Sequence, residues 1–248
     1  MSLSDGTVRV DAVIDGKRQQ CILDTGSQVV SVYSPMGHGN WFRVKSGSHQ
    51  FVDIVPRIQI GSFEGRGIAA IEEVGRTRTS LLGDSLFRTS VVSIDYRRGT
   101  VQFRDKGYAR TLRRRCRPLR NLGHDFLRDV PIVEMNVNGK NIPCIIDTGS
   151  NTSVVDVDTP EFRQLIGKRS GRARFPGGQA DVYWTKQPIP VLLGGREIGS
   201  IHLGIRIPAG IRVLIGNDIL RNFRVTIDYP DGITYLEPYD KVGGDKSR

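Results

Sequence analysis

At 248 residues, with 38% hydrophobic and 25% charged residues, the chain reads as globular, with room for two domains of about 100 to 150 residues, and neither disordered nor fibrous. Three cysteines exclude a disulfide framework, and no apolar run approaches the roughly 18 residues needed to cross a bilayer. The net charge of +10 is concentrated: residues 104–120 hold eight basic residues against one acidic, and so carry +7 of it.

In chain order, Met1-Ser2-Leu3-Ser4-Asp5 lacks the charged and apolar regions of a signal peptide. The chain reads as soluble, and a removed signal or anchor, hence a periplasmic or secreted protein, stays open. Val8 to Ile14 alternates into a half-buried strand that meets Asp15-Gly16, a two-residue hairpin signal. The returning strand, Cys21-Ile22-Leu23, delivers Asp24-Thr25-Gly26-Ser27. Val29 to Tyr33 continues as strand, residues 34–50 read as irregular, and 44–51 forms a hairpin with its tip at Ser46-Gly47-Ser48. His38 and His49 lack metal-ligand spacing and read as loop residues. Short strands are expected at 58–61 and 67–71. Ser80-Leu81-Leu82-Gly83 then opens one helical turn capped by Asp84, and residues 91–103 close the unit as a hairpin.

The basic segment reads as a solvated linker, in which neighbouring arginines lower the Cys116 pKa if that thiol is exposed. The rest of the chain has no zinc-finger spacing, no interleaved aromatics and no recognition helix, so no nucleic acid is expected as a partner; contact with a membrane or other anionic surface is the functional alternative for the segment.

The pattern then repeats. Ile132 to Val137, Asn138-Gly139 and Cys144-Ile145-Ile146 lead to Asp147-Thr148-Gly149-Ser150, and Val213-Leu214-Ile215-Gly216 precedes a second hairpin through 225–236. Cys21 and Cys144 stand three residues before their aspartates and read as small core hydrophobes. The Asp-to-Gly spacing is 59 in the first copy and 69 in the second. The ten extra residues are assigned to a hairpin over 172–184 with its tip at Phe175-Pro176-Gly177-Gly178, a candidate flap beside Ser46, Gly47 and Ser48. From Lys241 the tail is polar and Gly-rich and is expected to fray.

Two Asp-Thr-Gly-Ser turns, each after an apolar strand and each with an apolar-apolar-Gly partner downstream, resemble the aspartic proteases, and among them the retropepsins, fused here into one chain. The resemblance implies an all-β fold of two pseudo-symmetric barrel lobes with short helices and an active-site cleft between them. Its boundaries would be 1–106 for the N-terminal lobe, 107–128 for the basic linker, 129–240 for the C-terminal lobe and 241–248 for the tail.

It further implies catalysis by Asp24 and Asp147 on a shared water and a polypeptide substrate, with no metal or cofactor, in a monomer. Thr25 and Thr148 would lock the turns, and Gly26, Ser27, Gly149 and Ser150 would hydrogen-bond the carboxylates. The first unit lacks the flap tyrosine that pepsin-like members carry. The rival reading keeps this fold as a peptide-binding module without turnover.

Overall fold

The computed structural model describes residues 1–2, 6–33, 43–45, 51–72, 79–123, 130–175, 178–207 and 211–239. It is mostly β. The first strands are β1 (Arg9–Ile14), β2 (Lys17–Leu23), β3 (Val30–Val32), β4 (Arg43–Lys45), β5 (Phe51–Ile60), β6 (Phe63–Glu72) and β7 (Ser80–Leu82). They form one sheet in the order β1-β2-β7-β3-β6-β5-β4, and an added β1–β5 pairing closes six of them into a barrel. After β8 (Val91–Asp95), β9 (Thr100–Arg104), α1 (Lys106–Leu112) and β10 (Leu119–Arg120), a second seven-stranded sheet begins. It contains β11 (Ile132–Val137), β12 (Lys140–Ile146), β13 (Val154–Asp156), β14 (Ile166–Phe175), β15 (Gly178–Leu193), β16 (Arg196–Ile205) and β17 (Val213–Ile215). A short helix α2 (Pro160–Arg163) lies between β13 and β14. The order β11-β12-β17-β13-β16-β15-β14, with an added β11–β15 pairing, matches the first sheet strand for strand.

Local sequence explains the two opening hairpins. Asp15 and Gly16 take φ of 46° and 80°, Asn138 and Gly139 take 51° and 83°, and two consecutive left-handed residues make the two-residue turn whose twist matches its strands. Along β1, Val10, Ala12 and Ile14 are buried while Asp11 faces out, and along β11 Val133, Met135 and Val137 are buried while Glu134 faces out.

Helix α3 (Asn217–Leu220) and the strands β18 (Phe223–Asp228) and β19 (Ile233–Pro238) complete the chain. A third sheet, β10-β19-β18-β8-β9, draws strands from both halves of the sequence, and β8 pairs antiparallel with β18 through Ile94↔Val225. All five residues of β8 are buried, as expected for a central strand covered on both faces. One face packs on the main core, where Phe63, Phe87 and Phe103 cluster with ring centroids 4.2 to 5.9 Å apart. The other face is covered by α1.

Several expectations change. The hairpin expected at 91–103 forms as β8 and β9, and β8 is in addition the partner of β18. The strands expected at 58–61 and 67–71 are ten residues long, since antiparallel pairing of β5 with β6 runs from Val52↔Ile71 to Ile60↔Phe63. Residues 43–45, within the stretch read as irregular, pair with Phe51 to Asp53, and the tip at Ser46, Gly47 and Ser48 lies outside the described residues, as do His38, His49 and the tail from Lys241.

The largest correction concerns the basic segment, which is not a solvated linker throughout. Asp105 caps α1 by accepting from the Tyr108 N–H at 3.0 Å, and Ala109 and Leu112 bury against Val91, Ile233 and Tyr235. Leu119 pairs with Thr234 in the central sheet. Hydrophobic spacing within the segment, masked by its arginines, decides this outcome. Burial raises the Cys116 thiol to about 11, Glu237 adds to the rise, and Arg115 opposes both without prevailing.

Leu112→Ala should therefore destabilise the protein by about 2 to 5 kcal/mol, the usual cost of emptying a buried leucine site. Urea unfolding measures it; a change below about 0.5 kcal/mol, typical of surface sites, would mean that the helix is not part of the folded core.

Candidate active site

β2 ends at Leu23 and β12 at Ile146, so each aspartate is the first residue beyond a strand. Both strands run parallel to their apolar-apolar-Gly partners, and the Asp24 N–H donates to Leu82 O at 3.0 Å as the Asp147 N–H does to Ile215 O at 2.9 Å. The glycines that follow are sterically required. A Cβ on Gly83 would lie 2.1 Å from Val29 O, and one on Gly216 would lie 2.7 Å from Thr152 O. Asp84 does not cap the turn after Gly83: its side chain instead accepts from the Tyr229 hydroxyl.

The two turns are fastened to each other by Thr25 and Thr148, both fully buried. Thr25 Oγ1 donates to Ile146 O at 2.6 Å and accepts from the Thr148 N–H at 3.0 Å. In return, Thr148 Oγ1 donates to Leu23 O at 2.7 Å and accepts from the Thr25 N–H at 3.2 Å. Each hydroxyl thus bridges two backbone groups across more than 120 residues of sequence, in a place with no water to substitute.

This lock sets Asp24 and Asp147 side by side, each carboxyl group against the glycine of the other's turn. The Gly26 N–H reaches Asp24 Oδ1 at 3.0 Å, and the Gly149 and Ser150 N–H groups reach Asp147 Oδ1 at 2.8 and 3.1 Å. Each glycine also lies against the opposite carboxylate. A Cβ at Gly26 would sit 2.4 Å from the Asp147 carboxyl carbon, and one at Gly149 would sit 2.3 Å from that of Asp24. Unlike that of Ser150, the Ser27 N–H donates to the Asp24 backbone carbonyl, at 3.3 Å; both serine hydroxyls turn away, Ser27 to Val29 O at 3.0 Å and Ser150 to Thr152 O at 2.8 Å.

Burial raises both carboxyl pKa values, and for Asp147 the neighbouring Asp24 charge adds to the rise. The amide donors of both turns pull the other way. Two carboxylates this close, whose donors among the described residues are neutral amides, hold one proton between them at moderately acid pH.

The remaining sequence candidates are not brought to this pair by any described contact. Phe175 and Gly178 are partners at the end of the β14–β15 hairpin, and Pro176 and Gly177 between them lie outside the described residues. Cys21 and Cys144 are buried and free, with burial raising the Cys21 thiol to about 12. Among the described residues no group of three or more His, Cys, Asp and Glu side chains could hold a metal ion.

Motif and spacing assign no role to Asn217, Tyr96 or Tyr229, and give Asp84 only that of a helix cap. Asn217 Nδ2 donates to Thr148 O at 2.8 Å and to Ser150 O at 2.9 Å, and its Oδ1 accepts from the Tyr96 hydroxyl at 2.6 Å. A signal for them was present: Ile-Asp-Tyr occurs at 94–96 and again at 227–229, at matching distances after the Gly-Asp and Gly-Asn pairs.

The raised Asp147 value has a consequence for stability. A carboxyl group whose pKa is raised on folding stabilises the fold fully below its ordinary value near 3.8, and that contribution is lost as pH rises through the folded value. Asp147→Asn cannot ionise, so its stability relative to the native chain should improve between pH 4 and 8, by about 1.4 kcal/mol for every pH unit separating the two values. Denaturant unfolding at several pH values measures this. A stability difference that is flat with pH would mean that the two carboxyl groups do not interact.

No protein-family model matches the chain, and no curated protein sequence matches it either.

Proposed function

We propose that the protein is an aspartic endopeptidase of the retropepsin type, with two pseudo-symmetric lobes in one chain and Asp24 and Asp147 as its catalytic pair. The observation that carries this reading is the pair of adjacent buried carboxyl groups held by reciprocal threonine bonds between two turns of the same sequence. The matching strand orders of the two seven-stranded sheets support the two-lobe description.

In this mechanism a water lies between the carboxylates and the scissile peptide. The ionised carboxylate takes a proton from it as the water oxygen bonds to the carbonyl carbon. The protonated carboxyl gives its proton to the carbonyl oxygen, so a neutral gem-diol forms and the pair has exchanged roles. Proton transfer to the amide nitrogen then lets the C–N bond break while a diol hydroxyl returns its proton to the pair. One proton remains on the pair at the end, as at the start. The amides of Gly26, Gly149 and Ser150 hold the carboxyl groups oriented throughout.

The substrate class is polypeptide. Attachment to anionic surfaces through residues 104–120 has less support, because Lys106, Arg113 and Arg115 are within ion-pair reach of Asp231 and Glu237.

Asp24→Asn and Asp147→Asn should each lower the cleavage rate of an unionisable peptide by about a thousandfold or more, since the pair acts as a unit. Circular dichroism should show both variants folded, and mixing them should restore little. Near-native turnover in either would remove the one-site reading.

The native enzyme should follow a bell-shaped pH profile. Below the lower apparent pKa both groups are protonated and no base remains; above the upper one both are ionised and no acid remains. Two adjacent carboxyl groups that share one proton titrate in two separated steps at acid pH, which puts the optimum here in the acid range, on the order of pH 3 to 6. A rate still rising at pH 8 would point to another base.

A further inference from the structure

The two turns are braced by tyrosines that come from the wrong half of the chain. Tyr96 follows β8, in the first half, and its hydroxyl donates to Asn217 Oδ1 at 2.6 Å, in the second. Asn217 passes this on: its amide holds Thr148 O and Ser150 O, and its backbone N–H also donates to Ser150 O at 2.9 Å. Thr148 O belongs to the peptide unit whose Gly149 N–H grips Asp147, and Ser150 O follows the unit whose Ser150 N–H does. In the other direction, Tyr229 follows β18 and its hydroxyl donates to Asp84, which is fully buried. The Asp84 and Ser85 N–H groups donate to Ser27 O and Gln28 O at 2.8 and 3.0 Å, in the turn of Asp24.

We propose that Tyr96 and Tyr229 are crossed positioning residues, each setting the aspartate-bearing turn of the opposite half through Asn217 and Asp84 respectively, so that the carboxylates are oriented only when both halves have docked. This rests on the protease reading for its catalytic meaning. The crossing follows from the central sheet, where the β8–β18 pairing delivers each tyrosine across the boundary. Burial is the main cause that holds the Tyr96 phenol above its ordinary value, with Tyr239 and Asp147 adding to it, so the hydroxyl remains a donor throughout the working range. The charged groups nearby have other partners: Asp218 accepts from the Ser153 N–H and hydroxyl, at 2.9 and 2.6 Å.

The two braces are chemically unequal. Asn217 offers two side-chain N–H donors to the carbonyls of its turn, whereas Asp84 reaches its turn through its backbone N–H. Removing the Tyr96 donor therefore acts on a relay that ends at the Asp147 amides. Looser amides stabilise the ionised carboxylate less, so the pair's apparent pKa values move up.

The test is Tyr96→Phe in the full chain, with Tyr235→Phe as comparison. Tyr235 is also fully buried, but its hydroxyl accepts from Arg113 Nε at 3.3 Å, on the α1 face of the sheet. The first readout is a carboxyl-carbon NMR titration of the aspartate pair. In Tyr96→Phe at least one apparent pKa should rise by about half a pH unit or more, while Tyr235→Phe leaves both in place. The second is peptide cleavage, where kcat should fall by about five- to thirtyfold with KM within about twofold, as expected when one buried hydrogen bond that orients the reacting groups is lost.

A Tyr96→Phe titration superimposed on the native one would overturn the proposal, as would an equal displacement in Tyr235→Phe. The titration reads the brace even in a protein that cleaves nothing, so failure of the brace and failure of the protease reading give different results. If Tyr96→Phe does not fold, Tyr229→Phe, at a half-buried ring, carries the same expectation for the Asp24 turn, and an unchanged titration there overturns the proposal equally.

Discussion

Four hydrogen bonds between two threonines and the backbone opposite them are the constraint on which the rest of the centre depends. They join Thr25 to Ile146 and Thr148, and Thr148 to Leu23 and Thr25, with both hydroxyls wholly out of water. A typical buried hydrogen bond contributes about 1 kcal/mol net, but leaving one of its partners orphaned costs about 1 to 3 kcal/mol. The asymmetry is what matters here: the turns have no stable way to sit slightly apart. Two carboxylates are thereby forced together. Unit charges about 4 Å apart at an effective dielectric near 20 repel by about 4 kcal/mol, comparable with the whole lock. Burial first, and for Asp147 the neighbouring charge as well, favours retaining a proton, so a structural fastening and a raised pKa occur at the same place.

The glycines belong to the same constraint. Gly26 and Gly149 leave the space that the opposite carboxyl group occupies, so any side chain there would displace it. Gly83 and Gly216 do the same for the backbone behind each turn. The sequence pattern of Asp-Thr-Gly-Ser with a distant apolar-apolar-Gly is thus a list of clearances as much as of chemical groups.

Around this centre the halves of the chain are interleaved. The central sheet pairs β8 with β18 and seats β10 beside β19, so each half contributes strands to a layer that neither could complete. Helix α1 seals one face of that layer with Ala109 and Leu112 while presenting its basic residues outward. A segment with eight basic residues is therefore partly core, because burial is decided by the two or three apolar positions on one helical face and not by the net charge of the stretch.

Much was legible from residues alone. The Asp15-Gly16 and Asn138-Gly139 turns, the strands that end at Leu23 and Ile146, and the short helical turns after Gly83 and Gly216 all follow from local rules: φ preferences, period-two alternation, the need for glycine at a close approach. The repeat pointed to Asp24 and Asp147 together. What only the tertiary structure decided was everything that crosses between the copies. The ten-residue lengths of β5 and β6 depend on each other's edges, the burial of Leu112 depends on Val91 and Tyr235, and the crossed contacts of Tyr96 with Asn217 and Tyr229 with Asp84 depend on the β8–β18 pairing. Local sequence records the torsions and the hydrophobic faces of each segment, whereas which distant segment completes a hydrogen bond is fixed by packing, where burial of the whole sheet selects one pairing among many that local preferences allow.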